Sequence, residues 1–182
     1  MIYRRPWRLE ITQRAGVPRL VADTVLAAVI EWALETAGAP APATIGLILT
    51  GDEEMAELNA SQMGHEGPTD VLSFPLLPPD AFPDHAGKDA GPAAISAYGA
   101  AQPRRGRVHL GEIVVSVDRA IEQAVEGRGG HTGDVRWSPA DELRLLVTHG
   151  VLHVCGWDHA DPVEERAMRA LESRLLGMPL TG

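Results

Sequence analysis

The sequence has one cysteine, one lysine and no long apolar run, and these scarcities narrow what the protein can be. Cys155 is the only cysteine among 182 residues, which excludes an internal disulfide and favours a reducing compartment. No apolar stretch is long enough to span a membrane, and the first residues lack the apolar segment that a secretory signal requires. We therefore expect a cytoplasmic protein with no membrane association.

Positive charge is also scarce. The chain has 16 Lys and Arg residues against 25 Asp and Glu residues, which gives a net charge of −9, and Lys88 is the only lysine. A protein that grips nucleic acid along a broad face is usually basic, so any such role must rest on a local patch or on the chemistry of a site. The 45% hydrophobic content suffices for a core, and a chain of this length is expected to form one domain, residues 1–182.

Apolar periodicity predicts strands and helices that are mixed without strict alternation, so the expected fold class is α+β, with a small mixed sheet of about four strands packed against helices. Between them, a stretch rich in Pro, Gly, Ala and Asp has no clear period and predicts a mobile inserted loop at about 77–107. The predicted strands are 7–11, 44–50, 71–74 and 108–116, and the predicted helices are 20–34, 52–59, 118–126, 138–155 and a last one from 161.

Three histidines near the C-terminus carry the clearest chemical signal. His149 and His153 are four residues apart on a predicted helix, so their side chains share one face. Gly156 then ends the helix, and His159 can return as a third ligand. Such a triplet is expected by chance only about 0.01 times in a chain of this composition. Three protein ligands leave a fourth position for water, as in catalytic rather than structural zinc sites.

The same histidine spacing occurs in metzincin peptidases, but the general base of those enzymes is missing here. Their pattern places Glu directly after the first histidine, and this chain has Gly150 there. The histidines therefore indicate a metal that activates water, whereas the missing Glu argues against ordinary peptide hydrolysis. Asp158 is a candidate catalytic residue that could orient a ligand imidazole or relay a proton, and a turn residue is the competing interpretation. Cys155 lies off the His149/His153 face and is expected to be buried packing.

With these residues in place, the chain resembles the YbeY family of endoribonucleases and ribosomal RNA maturation factors. Residues 149–159 (HGVLHVCGWDH) resemble the family signature H-G-x-L-H-L-x-G-Y-D-H. Residues 68–75 (PTDVLSFP) and 110–116 (LGEIVVS) resemble the family blocks P-T-D-V-L-S-F-P and L-G-D-I-V-I-S. Leu58-Asn59 stands where the family has its L-N, and the blocks occur in family order.

The resemblance implies a zincin-like fold, with the metal site on a helix of the C-terminal half. It implies a metal-dependent, single-strand-specific endoribonuclease in which a metal-bound water attacks a phosphodiester. The implied role is 3′-end maturation of small-subunit ribosomal RNA and ribosome quality control. The implied partners are single-stranded ribosomal RNA and the small subunit or ribosome-associated proteins. By resemblance, His149, His153 and His159 hold one Zn²⁺ per chain, although imidazoles would accept another divalent transition metal.

One departure from the family leaves alternatives open. The family has an arginine, a natural phosphate clamp, where this chain has Met63. The arginines at the end of the insertion are candidate substrate-binding residues that could supply this charge, namely Arg104, Arg105 and Arg107. The first alternative function is a non-catalytic ribosome-assembly factor with a structural metal. The second is a zincin-type metallopeptidase whose base comes from elsewhere, with Glu112 as the candidate.

Overall fold

The computed structural model describes residues 1–85, 106–126 and 137–177. These residues contain five strands, five α-helices, a π-helical turn at Asn59–Met63 and a 3₁₀ turn at Pro79–Ala81. The strands are β1 (Ile2–Arg4), β2 (Trp7–Gln13), β3 (Ala43–Thr50), β4 (Val71–Pro75) and β5 (Val108–Ser116). The α-helices are α1 (Asp23–Thr36), α2 (Asp52–Leu58), α3 (Val117–Glu126), α4 (Pro139–Val154) and α5 (Pro162–Gly177).

The strands form one mixed sheet in the order β1-β2-β3-β5-β4. The central pairs β2–β3 and β3–β5 are parallel, and the outer pairs β1–β2 and β4–β5 are antiparallel. The expected α+β class with a mixed sheet is confirmed, but the expectation of about four strands is wrong. The additional strand is β1, which pairs with β2 so that Ile2 lies opposite Leu9. A three-residue strand is too short to have a readable period, so its pairing partner alone defines it.

The two faces of the sheet are covered differently. On one face, inward side chains of β3 and β5 such as Leu47 and Ile113 join the main core beneath α1, α4 and α5. On the other face, Met55 of α2 packs with Leu72 and Val114 in a smaller apolar cluster. Because successive strand residues point to opposite faces, each residue of β4 and β5 can be assigned to one side of the sheet. This assignment decides which side chains can reach α4.

The start of α4 forms as its sequence predicts. Ser138 is the N-cap residue: its hydroxyl accepts the backbone N–H of Asp141, and the Asp141 carboxylate accepts the backbone N–H of Ser138. Pro139 occupies the first turn, where no N–H donor is required. This capping box satisfies donors that would otherwise have no partner at the helix end. The capping box determines where α4 begins, and α4 is the helix that carries His149 and His153.

The first residues of the segment predicted as a mobile insertion at 77–107 pack against the rest of the protein. The side chain of Phe82 is 4% exposed and belongs to the main core. Arg104 and Arg105, with the rest of 86–105, lie outside the described residues, as does the glycine cluster after Glu126. Among the helices that the structure describes, none is long and apolar enough to cross a membrane.

Candidate metal centre

Three histidine side chains meet where α4 ends. His149 and His153 lie one helical turn apart on α4, and His159 follows the turn that Gly156 makes with a φ of +81°. Glycine suits this position because a positive φ is strained for residues with a Cβ. One ring nitrogen from each histidine lies within 4.8 Å of the others, so the predicted triplet is assembled in space. The cluster could bind a metal ion.

The spacing of the ring nitrogens can be compared with that of a tetrahedral zinc site. The Nε2 atoms of His149 and His153 are 3.0 Å apart, with their rings perpendicular to one another. Zn–N bonds of about 2.05 Å at the tetrahedral angle place ligand nitrogens roughly 3.3 Å apart. The helical pair therefore fits an ion almost without movement. His159 is exposed in a turn, so a small shift of that loop would complete the set.

The surroundings of His153 favour a neutral ring that can accept a metal ion. Burial, together with the smaller effects of the neighbouring His149 and His159, lowers the pKa of His153 to about 4. A ring with this pKa is neutral at physiological pH, so a metal ion would not compete with a proton for its lone pair. The Trp157 backbone acts in the opposite direction and raises this pKa slightly.

Glu172, which the sequence did not indicate as a site residue, contacts one histidine of this cluster. The Nδ1 atom of His149 lies 2.7 Å from Oε1 of Glu172, which projects from α5. A local signal was present, because Glu172 is a charged residue within the apolar stripe of α5 that includes Met168 and Leu175. The sequence could not identify its partner, because the two residues lie 23 positions apart on different helices.

The glycine that replaces the peptidase base has a packing role. A Cβ at Gly150 would lie 2.5 Å from Cγ2 of Ile113 and 3.2 Å from Cγ2 of Val71, so α4 lies directly on β4 and β5 here. The Ser73 hydroxyl donates to the Gly150 carbonyl at 3.2 Å. A Glu side chain at this position would clash with the sheet. The face of α4 that contains Gly150 therefore packs against the sheet and has no room for a catalytic side chain.

Glu112 is not placed to act as a substitute base. Ile113 touches α4, and its neighbour Glu112 points to the opposite face of the sheet, where it bonds His109 at 2.8 Å. A carboxylate there would need to act through the sheet to reach the histidines. The proposed role of Glu112 in a metallopeptidase is therefore wrong for this structure.

Asp158 and Cys155 lie close to the histidines in the sequence, and their contacts indicate structural roles. The Asp158 carboxylate accepts the backbone N–H of His159 at 2.7 Å, which holds the turn that carries the third histidine. Cys155 is fully buried, and burial raises the pKa of its thiol to about 12. A protonated, enclosed thiol packs as a small apolar side chain, in agreement with its expected role.

The predicted arginines are not gathered at the histidines in the part of the chain that is described. Arg107 donates to the Pro6 carbonyl, at the turn between β1 and β2, at 2.5 Å. Met63, in the place of the family arginine, is 43% exposed on the π-helical turn. A different arginine, Arg169 of α5, lines a cavity of about 380 Å³ that also contains His149 and His159. Carboxylates dominate the rest of its charged lining, namely Asp70, Glu142, Glu165 and Glu172.

Fold and site together define an α+β protein with a candidate three-histidine metal centre at the C-terminal end of α4. A family model described as Endoribonuclease YbeY matches residues 10–178. The chain is 43% identical to the endoribonuclease YbeY of Salinispora tropica over 168 residues, covering 92% of this chain and 93% of that protein. It is 33% identical to that of Thermobifida fusca, covering 92% of this chain and 91% of that protein.

A solved structure agrees with the fold. The solution structure of a Thermotoga maritima protein superposes with a TM-score of 0.51, covering 93% of this chain and 90% of that one, at 21% identity. The chain belongs to the YbeY family of endoribonucleases, which are hydrolases that cut phosphodiester bonds of RNA. The family that the sequence motifs indicated is therefore confirmed.

Proposed function

We propose that this chain is a metal-dependent, single-strand-specific endoribonuclease that matures the 3′ end of small-subunit ribosomal RNA in the cytoplasm and takes part in ribosome quality control. The observation that carries the proposal is the cluster of His149, His153 and His159, with ligand nitrogens within 4.8 Å beside an open cavity. Family membership supplies the substrate class. The zincin-like character of the fold is part of the same proposal.

The donor set suits Zn²⁺, since three neutral imidazoles bind it well and leave one position open. Nickel or copper would also accept such ligands. When bound, the ion would supply Lewis acidity and lower the pKa of a water molecule near a phosphodiester. The protein's part is to present three ring nitrogens with free lone pairs, and the low pKa of His153 serves this at neutral pH. Asp158 would support the reaction by holding the turn of His159.

Arg169 is a candidate phosphate-binding residue. It lines the cavity with His149, and its partner Glu165 lies 2.7 Å away with both side chains about half exposed. Exposed pairs of this kind contribute at most about 1 kcal/mol, so a substrate phosphate could replace the carboxylate. Arg104 and Arg105, beyond the described residues, and Arg107 remain candidates for contacts further along the RNA. Arg169→Ala should lower kcat/KM about tenfold through KM, and Arg174→Ala, on the same helix outside the cavity, should not.

Delivery of the substrate is expected to depend on the ribosome. The net charge of −9 and the acidic cavity repel the RNA backbone, so naked RNA should associate slowly. Contacts with the small subunit or with ribosome-associated proteins would bring the RNA to the cluster. We expect faster cleavage of ribosome-bound precursor than of naked precursor, and equal rates would contradict this part of the proposal.

The direct test compares zinc-loaded variants on ribosomal RNA with an unprocessed single-stranded 3′ tail, naked and in small-subunit particles. Wild type should cleave the tail, and His153→Ala should neither retain zinc nor cleave. His109→Ala is the matched control, because His109 lies on the other face of the sheet, bonded to Glu112. If wild type binds zinc and particles but leaves both substrates intact, the chain is a non-catalytic assembly factor instead.

A further inference from the structure

We propose that Glu172 is a positioning residue that fixes the tautomer and orientation of His149, so that its Nε2 atom faces the metal. This inference rests on the proposed function only for its consequence in catalysis. Its structural part concerns how this chain binds a divalent metal ion, and it can be measured without RNA.

The contact between the two side chains determines where the His149 proton lies. The Glu172 carboxylate only accepts hydrogen bonds when ionised, so Nδ1 of His149, at 2.7 Å from Oε1, must carry the hydrogen. A ring with its single hydrogen on Nδ1 has the lone pair of Nε2 available for a metal ion. That atom is the one 3.0 Å from Nε2 of His153, where the candidate ligands converge. The hydrogen bond therefore selects the metal-binding nitrogen.

The burial of Glu172 indicates that the contact is more than a surface ion pair. Its side chain is 11% exposed, against 24% for His149. The neighbouring positions on this face of α5 are apolar and buried, namely Met168, Leu171 and Leu175. Burying a carboxylate is costly unless it is paired, so Leu at position 172 would be the better choice for helix packing alone. The charge is placed where packing disfavours it and where a ligand histidine needs an acceptor.

A carboxylate behind a ligand imidazole has a known physical effect. It restricts the ring to one orientation and raises the basicity of the nitrogen that binds the metal. It also lowers the net positive charge of a site built from three neutral ligands and a divalent ion. Loss of such a partner typically weakens metal binding about 10-fold to 100-fold.

The test separates orientation from charge with two substitutions. Glu172→Gln keeps an oxygen that accepts the Nδ1 hydrogen but removes the charge, and Glu172→Leu removes both. Glu165→Gln is the matched control, because Glu165 lines the same cavity but pairs with Arg169. Zinc affinity is measured by competition with a chromophoric chelator, and the His149 tautomer by ¹⁵N NMR of the zinc-loaded protein. Thermal unfolding of the metal-free variants reports whether each one folds.

We expect Glu172→Leu to lose about 10-fold to 100-fold in zinc affinity, Glu172→Gln to lose less, and Glu165→Gln to match wild type. Metal-free Glu172→Leu should remain folded, because leucine suits a position flanked by the buried Met168, Leu171 and Leu175. The inference is overturned if a folded Glu172→Leu binds zinc as tightly as wild type, or if His149 of zinc-loaded wild type has its hydrogen on Nε2. Glu172-dependent zinc binding without RNA cleavage would leave this inference standing and refute the proposed function.

Discussion

Gly150→Ala should destabilise the protein although alanine is the better helix former. In an exposed helix the substitution stabilises by about 1 kcal/mol. Here the new Cβ would lie 2.5 Å from Cγ2 of Ile113, about 1 Å inside ordinary carbon–carbon contact. The second and third neighbours, Val71 Cγ2 at 3.2 Å and Ser73 Oγ at 3.4 Å, leave little room for the helix to move sideways.

The expected magnitude follows from two opposing contributions. Overpacking a close-packed interior by one methyl group costs about 1–3 kcal/mol, and the helix-propensity gain offsets about 1 kcal/mol of it. The net loss should be at most about 2 kcal/mol, which for a chain of this size lowers Tm by up to about 8 °C. Metal affinity should fall as well, because His149 and His153 are carried on the same stretch of α4.

The assay is thermal or urea unfolding of the metal-free protein, with Gly177→Ala as the control, since a Cβ at Gly177 meets nothing within 4 Å. The fully buried Ile113 provides a double-mutant test. Ile113→Ala alone should cost about 2–5 kcal/mol, and adding Gly150→Ala should cost less than the sum, because the new methyl enters the space left behind. A stabilised Gly150→Ala variant, or strict additivity with Ile113→Ala, would refute the reasoning.

Three further outcomes are expected. Cys155 should resist a thiol reagent in the folded protein and react on unfolding, because burial raises the pKa of its thiol to about 12. Rapid labelling of the native protein would contradict this expectation. Cys155→Ala should leave zinc affinity unchanged. Zinc at 100 times its Kd should stabilise the protein by about 2.7 kcal/mol in calorimetry, and chelation should reverse the gain; an unaltered Tm would mean that no folded-state metal site exists. Arg119 lowers the pKa of Asp52, so the pair stabilises the fold above the ordinary Asp pKa and less as pH falls through the lowered value. The stability lost in Arg119→Ala should therefore shrink in acid unfolding measurements, and a pH-independent loss would contradict the assignment.

Much of the fold was readable because its signals are local. β5 lies at Val108–Ser116 as predicted, since its run of β-branched residues needs no distant partner to be recognised. The start of α4 at Ser138 also follows from neighbouring residues, which cap one another. β1 escaped prediction because three residues carry no period, and only pairing with β2 makes them a strand. The order of the strands in the sheet likewise depends on contacts between distant segments.

The candidate site divides in the same way. Its ligand histidines were predictable, because helical spacing joins His149 to His153 and a glycine turn returns His159, all within one short stretch of chain. Tertiary structure alone decided the acceptor behind them, since Glu172 reaches His149 only when α5 packs on α4. It also decided that Gly150 faces the sheet. Periodicity specifies which face a side chain occupies, whereas the packing of separate elements specifies what that face meets.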